Sequence, residues 1–377
     1  MPENSEKRES RYEIAESIGV TKTLAYFAIA ISVAALLVSA YAILRTSTAT
    51  FISASSPSSS SSSSAIPPAQ FKAFNISSSL ITPSQSPPAG APVITQEQPF
   101  GSRLTNINSP LNASELAVIN NAPNSYFEIA GEMLLNGSIK NEVGASHNKV
   151  PMFIVNGKPS VIYLGSITCI FCGENRWAMA LALSRFGNFS ALYKGYSSFG
   201  DGDLPTLYWA PASYNSSGKD DLGNFYSSKY INFISIDDEN PITAGFALNP
   251  IQVIQSNVNA TGNTAYIDAL SYIINDLGKN ASTAFSGTPY TIWGEYQVGG
   301  ADAIDFGNST PSSSSNLPLA SMTHAQVLAQ FANFNDQFAY TEYAAADLYV
   351  AMVCSSINNA APVCSLPAIG KLESAGY

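Results

Sequence analysis

The chain has 377 residues and a formal net charge of −10, with 46% hydrophobic and only 12% charged residues. Charged residues make up roughly 25% of an ordinary soluble domain, so this is not the composition of a typical cytosolic protein. The 17 basic residues are spread along the chain and form no dense cluster, which excludes nucleic acid as an expected partner.

An uncharged apolar run occupies residues 24–44. A helix of this length spans the roughly 30 Å hydrocarbon core of a bilayer, so we expect a single-pass membrane anchor. Basic residues are more frequent in residues 1–23 than just after the run, where Arg45 stands alone, so the positive-inside rule predicts a cytoplasmic N-terminal tail and an extracytoplasmic remainder. A cleaved signal peptide is the alternative, because Ala40-Tyr41-Ala42 fits a small-residue cleavage site.

Residues 45–112 are dominated by Ser, Thr, Ala and Pro, and include an unbroken serine run from Ser58 to Ser64. Such a segment has too little apolar surface to offset chain entropy, so we expect a disordered, O-glycosylated stalk. The predicted outer side also carries eight Asn-x-Ser/Thr sequons, which are compatible with N-glycosylation. They begin at Asn75, Asn112, Asn136, Asn188, Asn215, Asn259, Asn280 and Asn308.

Residues 113–377 show the alternating patterns of a mixed α/β domain. The predicted helices cover residues 114–120, 125–135, 174–186, 264–277, 325–334 and 341–355. The predicted strands cover residues 152–155, 161–164, 191–196, 206–210 and 231–236, and a turn near residues 286–289 leads into a further strand that ends at Trp293. Asn156-Gly157 predicts a tight hairpin turn, and Gly299-Gly300 predicts another.

Cys169 and Cys172 form a Cys-x-x-Cys motif between a predicted strand and a predicted helix. Cysteines at this spacing can close a small disulfide ring, and unpaired N–H groups at the helix N-terminus favour a thiolate at the first of them. Three interpretations remain open: a redox-active pair, an inert disulfide, or half of a zinc site that Cys354 and Cys364 would complete. We expect redox chemistry and no metal or other cofactor.

The other four candidates have simpler expected roles. Cys354 and Cys364 are expected to form a structural disulfide in an oxidising compartment, with a second redox relay as the alternative. His147 and His324 stand without a catalytic partner in the sequence, so each is expected to be a surface or capping residue.

Thr288-Pro289 precedes the strand-like stretch Tyr-Thr-Ile-Trp, and a proline at the start of such a strand is unusual because it donates no ladder hydrogen bond. Gly287-Thr288-Pro289 resembles the cis-proline loop that faces the cysteine pair in thioredoxin-like folds. With the Cys-x-x-Cys motif, it makes the chain resemble the thioredoxin superfamily. The resemblance implies a thioredoxin-like fold with a long insertion between the Cys-x-x-Cys helix and the cis-proline strand, plus a helical C-terminus.

The resemblance also assigns roles to residues. It implies that Cys169 is the exposed nucleophile, that Cys172 is the resolving thiol, and that Thr288 and Pro289 hold a substrate strand. The strand 161–164 lacks the usual buried acid, so Glu174 is a candidate replacement, unless it is an ordinary first-turn acid favoured by the helix dipole. The arrangement of anchor, stalk and cysteines is also similar to an archaeal family of membrane-anchored extracytoplasmic proteins of unknown function.

The sequence therefore predicts an extracytoplasmic thiol–disulfide oxidoreductase whose partners are the membrane and the thiols or disulfides of secreted or surface proteins. The alternative is a non-catalytic binding or structural domain at the cell surface, built on the same fold. Hydrolase and nucleotide chemistry are unsupported, since the sequence has neither a phosphate-binding glycine loop nor a Ser-His-Asp order typical of hydrolases.

Overall fold

The computed structural model of the chain describes residues 74–76, 108–139, 147–165, 169–197, 204–210, 221–222, 224–237, 264–273, 277, 289–299, 319 and 322–377. All of them fall within one unit, Ala69–Tyr377. The predicted tail 1–23, the predicted anchor 24–44 and most of the predicted stalk 45–112 lie outside the described residues. Within the described part, no helix combines the length and the apolar character needed to cross a membrane.

The described residues form seven α-helices and twelve strands, so the mixed α/β class predicted from the sequence is confirmed. The helices are α1 (Ala113–Asn120), α2 (Asn124–Leu135), α3 (Ile170–Leu183), α4 (Ala265–Ser271), α5 (His324–Asn333), α6 (Gln337–Ser356) and α7 (Pro367–Ser374). The strands are β1 (Phe74–Ile76), β2 (His147–Lys149), β3 (Phe153–Val155), β4 (Lys158–Gly165), β5 (Gly187–Ala191), β6 (Tyr193–Tyr196), β7 (Pro205–Tyr208), β8 (Asp221–Leu222), β9 (Phe225–Ser228), β10 (Asn232–Asp237), β11 (Tyr290–Trp293) and β12 (Tyr296–Gly299).

Side-chain caps define where several helices begin. The Asn112 side chain accepts hydrogen bonds of 3.0 Å from the backbone N–H groups of Ser114 and Glu115. The Glu115 carboxylate accepts one of 2.8 Å from the Asn112 N–H, which completes a capping box at α1. Thr323 and Gln326 form the same arrangement at α5, so the start predicted for this helix is confirmed to within one residue.

The central strand of the main sheet is β4. Strand β10 pairs with it in parallel, with Ile234 opposite Ile162. On the other side, β11 pairs with it antiparallel, with Ile292 opposite the same Ile162. Strand β12 then forms a hairpin with β11, and β2 pairs with β12. The order across the centre of the sheet is therefore β10–β4–β11–β12–β2.

Helices cover both faces of this sheet. Val161 and Tyr163 of β4 belong to a core that includes residues of α3 and α6, whereas Ile162 and Leu164 belong to a core that includes residues of α4. Because successive side chains of a strand point to opposite faces, a strand covered on both sides is apolar without interruption. This accounts for the run of six buried residues, 160–165, that completes β4, of which the four from Val161 to Leu164 are apolar.

Two small antiparallel pairs, β5–β9 and β6–β7, lie in the chain between α3 and β10. The sequence predicted that α3 runs to Phe186 and stops at Gly187, but the helix ends at Leu183 and Gly187 opens β5. Gly187 pairs with Ser228 there, and a Cβ at this position would overlap the carbonyl oxygen of Ser227. The glycine therefore allows a close approach of two strands and does not cap the helix.

The C-terminal helices form part of the core that contains Val161 and Tyr163. Helix α6 contacts α2, α3 and α7. A disulfide between Cys354 and Cys364, with Cα atoms 5.5 Å apart, joins the end of α6 to the short 3₁₀ helix Pro362–Ser365. Closing a loop this short stabilises a fold by roughly 2–3 kcal/mol in the chain-entropy account.

Two further expectations differ from the structure. Strand β1 lies within the predicted disordered stalk and pairs in parallel with β3, because the edge of β3 offers unpaired backbone groups. The β11–β12 hairpin turns at Gly294 and Glu295. Gly299, predicted to lie in a turn with Gly300, lies in β12 opposite Tyr290, and Gly300 is outside the described residues.

Candidate functional site

Cys169 and Cys172 lie at the N-terminal end of α3. Cys169 is the N-cap, with an extended backbone, and its carbonyl oxygen accepts a hydrogen bond of 2.9 Å from the Gly173 N–H. Its side chain is half-buried, whereas Cys172, in the first turn of the helix, is fully buried. The first cysteine is therefore the more accessible of the two, at the helix end where N–H groups and the dipole favour a negative charge.

Pro289 lies at the same end of the sheet as this cysteine pair. It is buried and immediately precedes β11, whose first residue, Tyr290, pairs with Leu164. Leu164 is followed by Gly165, the last residue of β4, and the chain reaches Cys169 after residues 166–168. Antiparallel register thus places the start of β11 beside the end of β4. Thr288, the other predicted substrate-binding residue, lies outside the described residues.

Cys354 and Cys364 form a disulfide with each other, whereas Cys169 and Cys172 are free thiols. The disulfide holds both Cys354 and Cys364, so these sulfurs are not thiolates that could complete a zinc site with Cys169 and Cys172.

Glu174 is buried, with a side chain only 3% exposed. The alternative of an ordinary first-turn acid is also wrong for this residue, because α3 begins at Ile170 and has no acid in its first turn. Every residue of the helix from Cys172 to Leu183 is buried, and Glu174 is buried with them. Burial raises the pKa of the Glu174 carboxyl well above its usual value, and the negative charge of a Cys169 thiolate raises it further.

Glu342 is a second buried acid, on α6, which packs against α3. Burial raises its pKa well above the ordinary value, and the neighbouring charge of Glu174 adds to the effect. Within the described part of the chain, neither oxygen of Glu342 nor Oε1 of Glu174 reaches a donor in hydrogen-bonding geometry. Two carboxyls in such surroundings are stable as neutral acids.

Aromatic contacts hold these helices in place. Tyr349 of α6 donates a hydrogen bond of 2.6 Å to the Asn175 side chain of α3, and its ring stacks on Trp293 of β11 with centroids 4.1 Å apart. The Arg176 guanidinium, also on α3, lies 5.5 Å from the centre of the Tyr163 ring and 5.8 Å from that of Tyr208. The helix that carries the cysteines is thus fixed to both α6 and the sheet.

The two histidines have different surroundings. His147 lies in β2, opposite Val298. His324, expected at the surface or as a cap, is buried at the first position of α5, with Nε2 2.9 Å from the Gly195 oxygen and 2.8 Å from the Thr206 oxygen. Burial lowers its pKa to about 4. The expectation for His324 is wrong because strands β6 and β7, which cover it, are distant in sequence.

Sequence reasoning overlooked Glu342, although a signal was present. Helix α6 is apolar nearly all round, and a helix of that kind is buried on every face. An acid in such a helix, such as Glu342 or Asp347, has no solvent-exposed face to occupy. Both are fully buried in the structure.

Comparison with known proteins identifies one family. The sequence profile of a domain of unknown function, DUF929, matches residues 149–355, which is more than half of the chain. The chain therefore belongs to this family. The matched range includes Cys169, Cys172, Pro289 and Glu342. No curated protein and no solved structure matches the chain.

Proposed function

We propose that this member of the DUF929 family is a thiol–disulfide oxidoreductase of thioredoxin-like fold that acts through Cys169 and Cys172. Its substrates are thiols or disulfides of secreted or surface proteins. Residues 24–44 hold it in the membrane, with the folded domain outside the cell.

The observation that carries this proposal is the sheet register at the cysteine pair. Tyr290 pairs with Leu164, so the proline that precedes β11 and the cysteines that follow β4 lie at one end of the sheet. In thioredoxin-like folds a cis proline at this place faces the cysteine pair and holds a substrate strand. Between α3 and β11 the chain passes through β5 to β9, strand β10 of the main sheet and α4, and this length supports the long insertion expected from the sequence.

The different exposure of the two cysteines supports distinct roles. A Cys169 thiolate attacks one sulfur of a substrate disulfide, and the other substrate sulfur leaves as a thiolate that takes up a proton. Cys172, shielded within the first turn, then loses its proton and attacks Cys169. This step releases the second substrate thiol and leaves a Cys169–Cys172 disulfide. The substrate gains two electrons and the enzyme dithiol loses them, and the reverse sequence forms a disulfide in the substrate.

Covalent trapping tests the proposal. In Cys172→Ser the mixed disulfide has no resolving thiol, so we expect adducts with extracytoplasmic proteins that disappear on reduction. Cys169→Ser serves as the matched control and should yield none, because its remaining thiol is buried. The two variants are purified from the native membrane at the native external pH and compared on reducing and non-reducing gels.

The alternative, a non-catalytic surface domain, gives a different result. An inert Cys169–Cys172 disulfide makes both substitutions equivalent, with a similar loss of stability and no preferred covalent partner. Equal adduct patterns for the two variants, or none from Cys172→Ser, would reject the oxidoreductase. Partners recovered without a reducible linkage would then favour the surface domain.

A further inference from the structure

Strand β7 lies against the part of α3 that carries the cysteines. The Thr206 hydroxyl of β7 donates a hydrogen bond of 2.7 Å to the carbonyl oxygen of Gly173, the residue after Cys172. The indole N–H of Trp177, one helical turn further along α3, donates one of 3.0 Å to the Pro205 oxygen. Two buried hydrogen bonds therefore join β7 to one face of the helix near its N-terminal end.

The hydrogen bond from Thr206 is linked to the first cysteine through the backbone of Gly173. The Gly173 N–H donates a hydrogen bond of 2.9 Å to the Cys169 oxygen, which closes the turn that contains both cysteines. Gly173 thus accepts a hydrogen bond from Thr206 and donates one to Cys169. Thr206 therefore acts on the turn 169–173 through Gly173.

Thr206 is itself held firmly in place. Its side chain is fully buried, and strand β6 pairs with β7 beside it, with Gly195 opposite Thr206. Nε2 of His324 lies 2.8 Å from the Thr206 oxygen and 2.9 Å from the Gly195 oxygen, so α5 holds both strands. A supporting element fixed in this way limits the movement of the turn that it contacts.

The order of this turn affects the two redox states differently. A Cys169–Cys172 disulfide imposes one arrangement on the turn covalently, whereas in the dithiol form only non-covalent contacts do so. A contact that restricts the dithiol form removes in advance some of the entropy that ring closure would otherwise cost. Such a contact favours the disulfide.

We propose that Thr206 is a positioning residue for the cysteine pair, because its hydroxyl orders the turn 169–173 in the dithiol form and thereby favours the disulfide. The proposal deepens the proposed function, on which it rests only in taking Cys169 and Cys172 as a pair that forms a disulfide. It gives the β6–β7 hairpin a part in setting the redox equilibrium of that pair.

Equilibration of the full chain with reduced and oxidised glutathione at a fixed pH tests this. The two thiols lose two protons and two electrons as their S–S bond forms, and glutathione disulfide accepts both as its own S–S bond breaks into two thiols. Alkylation and mass spectrometry of the peptide that contains Cys169 and Cys172 measure the dithiol fraction. Thr206→Val replaces the hydroxyl by a methyl group, so we expect a shift toward the dithiol of at least about threefold, equivalent to about 14 mV.

Thr206→Ser and Tyr226→Phe are the matched controls. Serine keeps the hydroxyl, so the equilibrium should return to the parent value. Tyr226 also donates a buried hydrogen bond, of 2.9 Å, to a carbonyl of α3, but to that of Leu183 at the other end of the helix. Tyr226→Phe should therefore lower the free energy of unfolding and leave the redox equilibrium unchanged. An unchanged equilibrium in Thr206→Val, an equal shift in Tyr226→Phe, or no rescue by serine would overturn the proposal.

A further variant makes the test independent of how well valine fits the site. Thr206→Ala also lacks the hydroxyl and adds no bulk, so it should shift the equilibrium in the same direction, and a parent-like value would refute the role of Thr206. If the shift is found but Cys172→Ser traps no partner, the oxidoreductase function fails and the positioning role stands. Trapped partners without a shift support the function and reject the positioning role.

Discussion

His324 shows how one buried residue gives the fold a defined pH dependence. Both acceptors of its Nε2 are carbonyl oxygens, so Nε2 carries the proton and the neutral ring has none on Nδ1. The pKa of about 4 in the folded state lies below the ordinary value of 6.5. The unfolded chain therefore binds a proton that the folded chain does not as pH falls from about 6.5 to 4.

We expect His324→Gln to remove this dependence. In the parent, the contribution of His324 to the free energy of unfolding is present above pH 6.5 and is lost as pH falls to 4. The change is about 3 kcal/mol for a pKa difference of this size. Urea unfolding of the parent and the variant at pH 7 and pH 4 measures the difference. An equal loss of stability in both proteins would show that His324 does not titrate in this way.

The buried acids act in the opposite direction. Burial raises the pKa of Glu174, Glu342 and Asp347, so each binds a proton in the folded state that the unfolded chain has already released above about pH 4.5. Their effect is a loss of stability as pH rises. Comparing parent and variant at each pH cancels these contributions and isolates that of His324.

At the scale of elements, the β11–β12 hairpin depends on Gly294. Its backbone has φ +64°, a left-handed conformation, and a Cβ there would overlap the side chain of Ser356 on α6. The Ser356 Oγ also accepts a hydrogen bond of 2.9 Å from the Glu295 N–H, so the turn and the helix are in direct contact. The turn residue therefore connects the sheet to the C-terminal helices.

Gly294→Ala should destabilise the fold by about 1–3 kcal/mol, through backbone strain and displacement of Ser356. Gly370→Ala is the matched control. Gly370 lies within α7, a Cβ there meets nothing within 4 Å, and alanine is favoured over glycine in helices by about 1 kcal/mol. Denaturant unfolding should thus give changes of opposite sign. A neutral Gly294→Ala would show that the turn can shift without cost.

How well each element was predicted depended on whether its signal is local. Helices α1, α2 and α5 were predicted to within one residue at each end, because caps and apolar spacing are local signals. The Asn156-Gly157 turn was likewise confirmed, with φ of +50° and +76°. The hairpin at Gly294 was not predicted, because the contact with Ser356 that requires a glycine there is set by packing between distant segments.

In the candidate site, too, features with a local sequence signal were predicted and features set by long-range contacts were not. The place of Cys169 at the start of a helix follows from the local order of strand, cysteines and helix. The pairing of Tyr290 with Leu164, which brings Pro289 to that end of the sheet, is a long-range register that local patterns do not encode. The burial of Glu174 also depends on a distant element, since α6 covers it. Contacts between segments that are distant in the sequence can be read only from the structure.

At the scale of the whole molecule, the proposed function requires the folded domain to lie outside the cytoplasm. A disulfide between Cys354 and Cys364 supports this location, because such bonds persist in oxidising compartments. The sequons offer a surface for modification there, since Asn112, Asn136 and Asn188 are all exposed. Orientation across the membrane, however, rests on the charges around residues 24–44.

We expect protease added to intact cells to remove the domain that follows residues 24–44 from the membrane fraction. The reason is that the positive-inside rule, applied to the basic residues of 1–23, predicts a cytoplasmic N-terminus, and in that orientation only the outer part is accessible. Immunoblots for the domain, with a cytoplasmic protein as the integrity control, measure its loss.

If the apolar run is instead a cleaved signal peptide, the domain appears in the medium of untreated cells. Full protection in intact cells, followed by digestion once they are permeabilised, would place the domain in the cytoplasm. That result would contradict both the orientation and a role on secreted proteins.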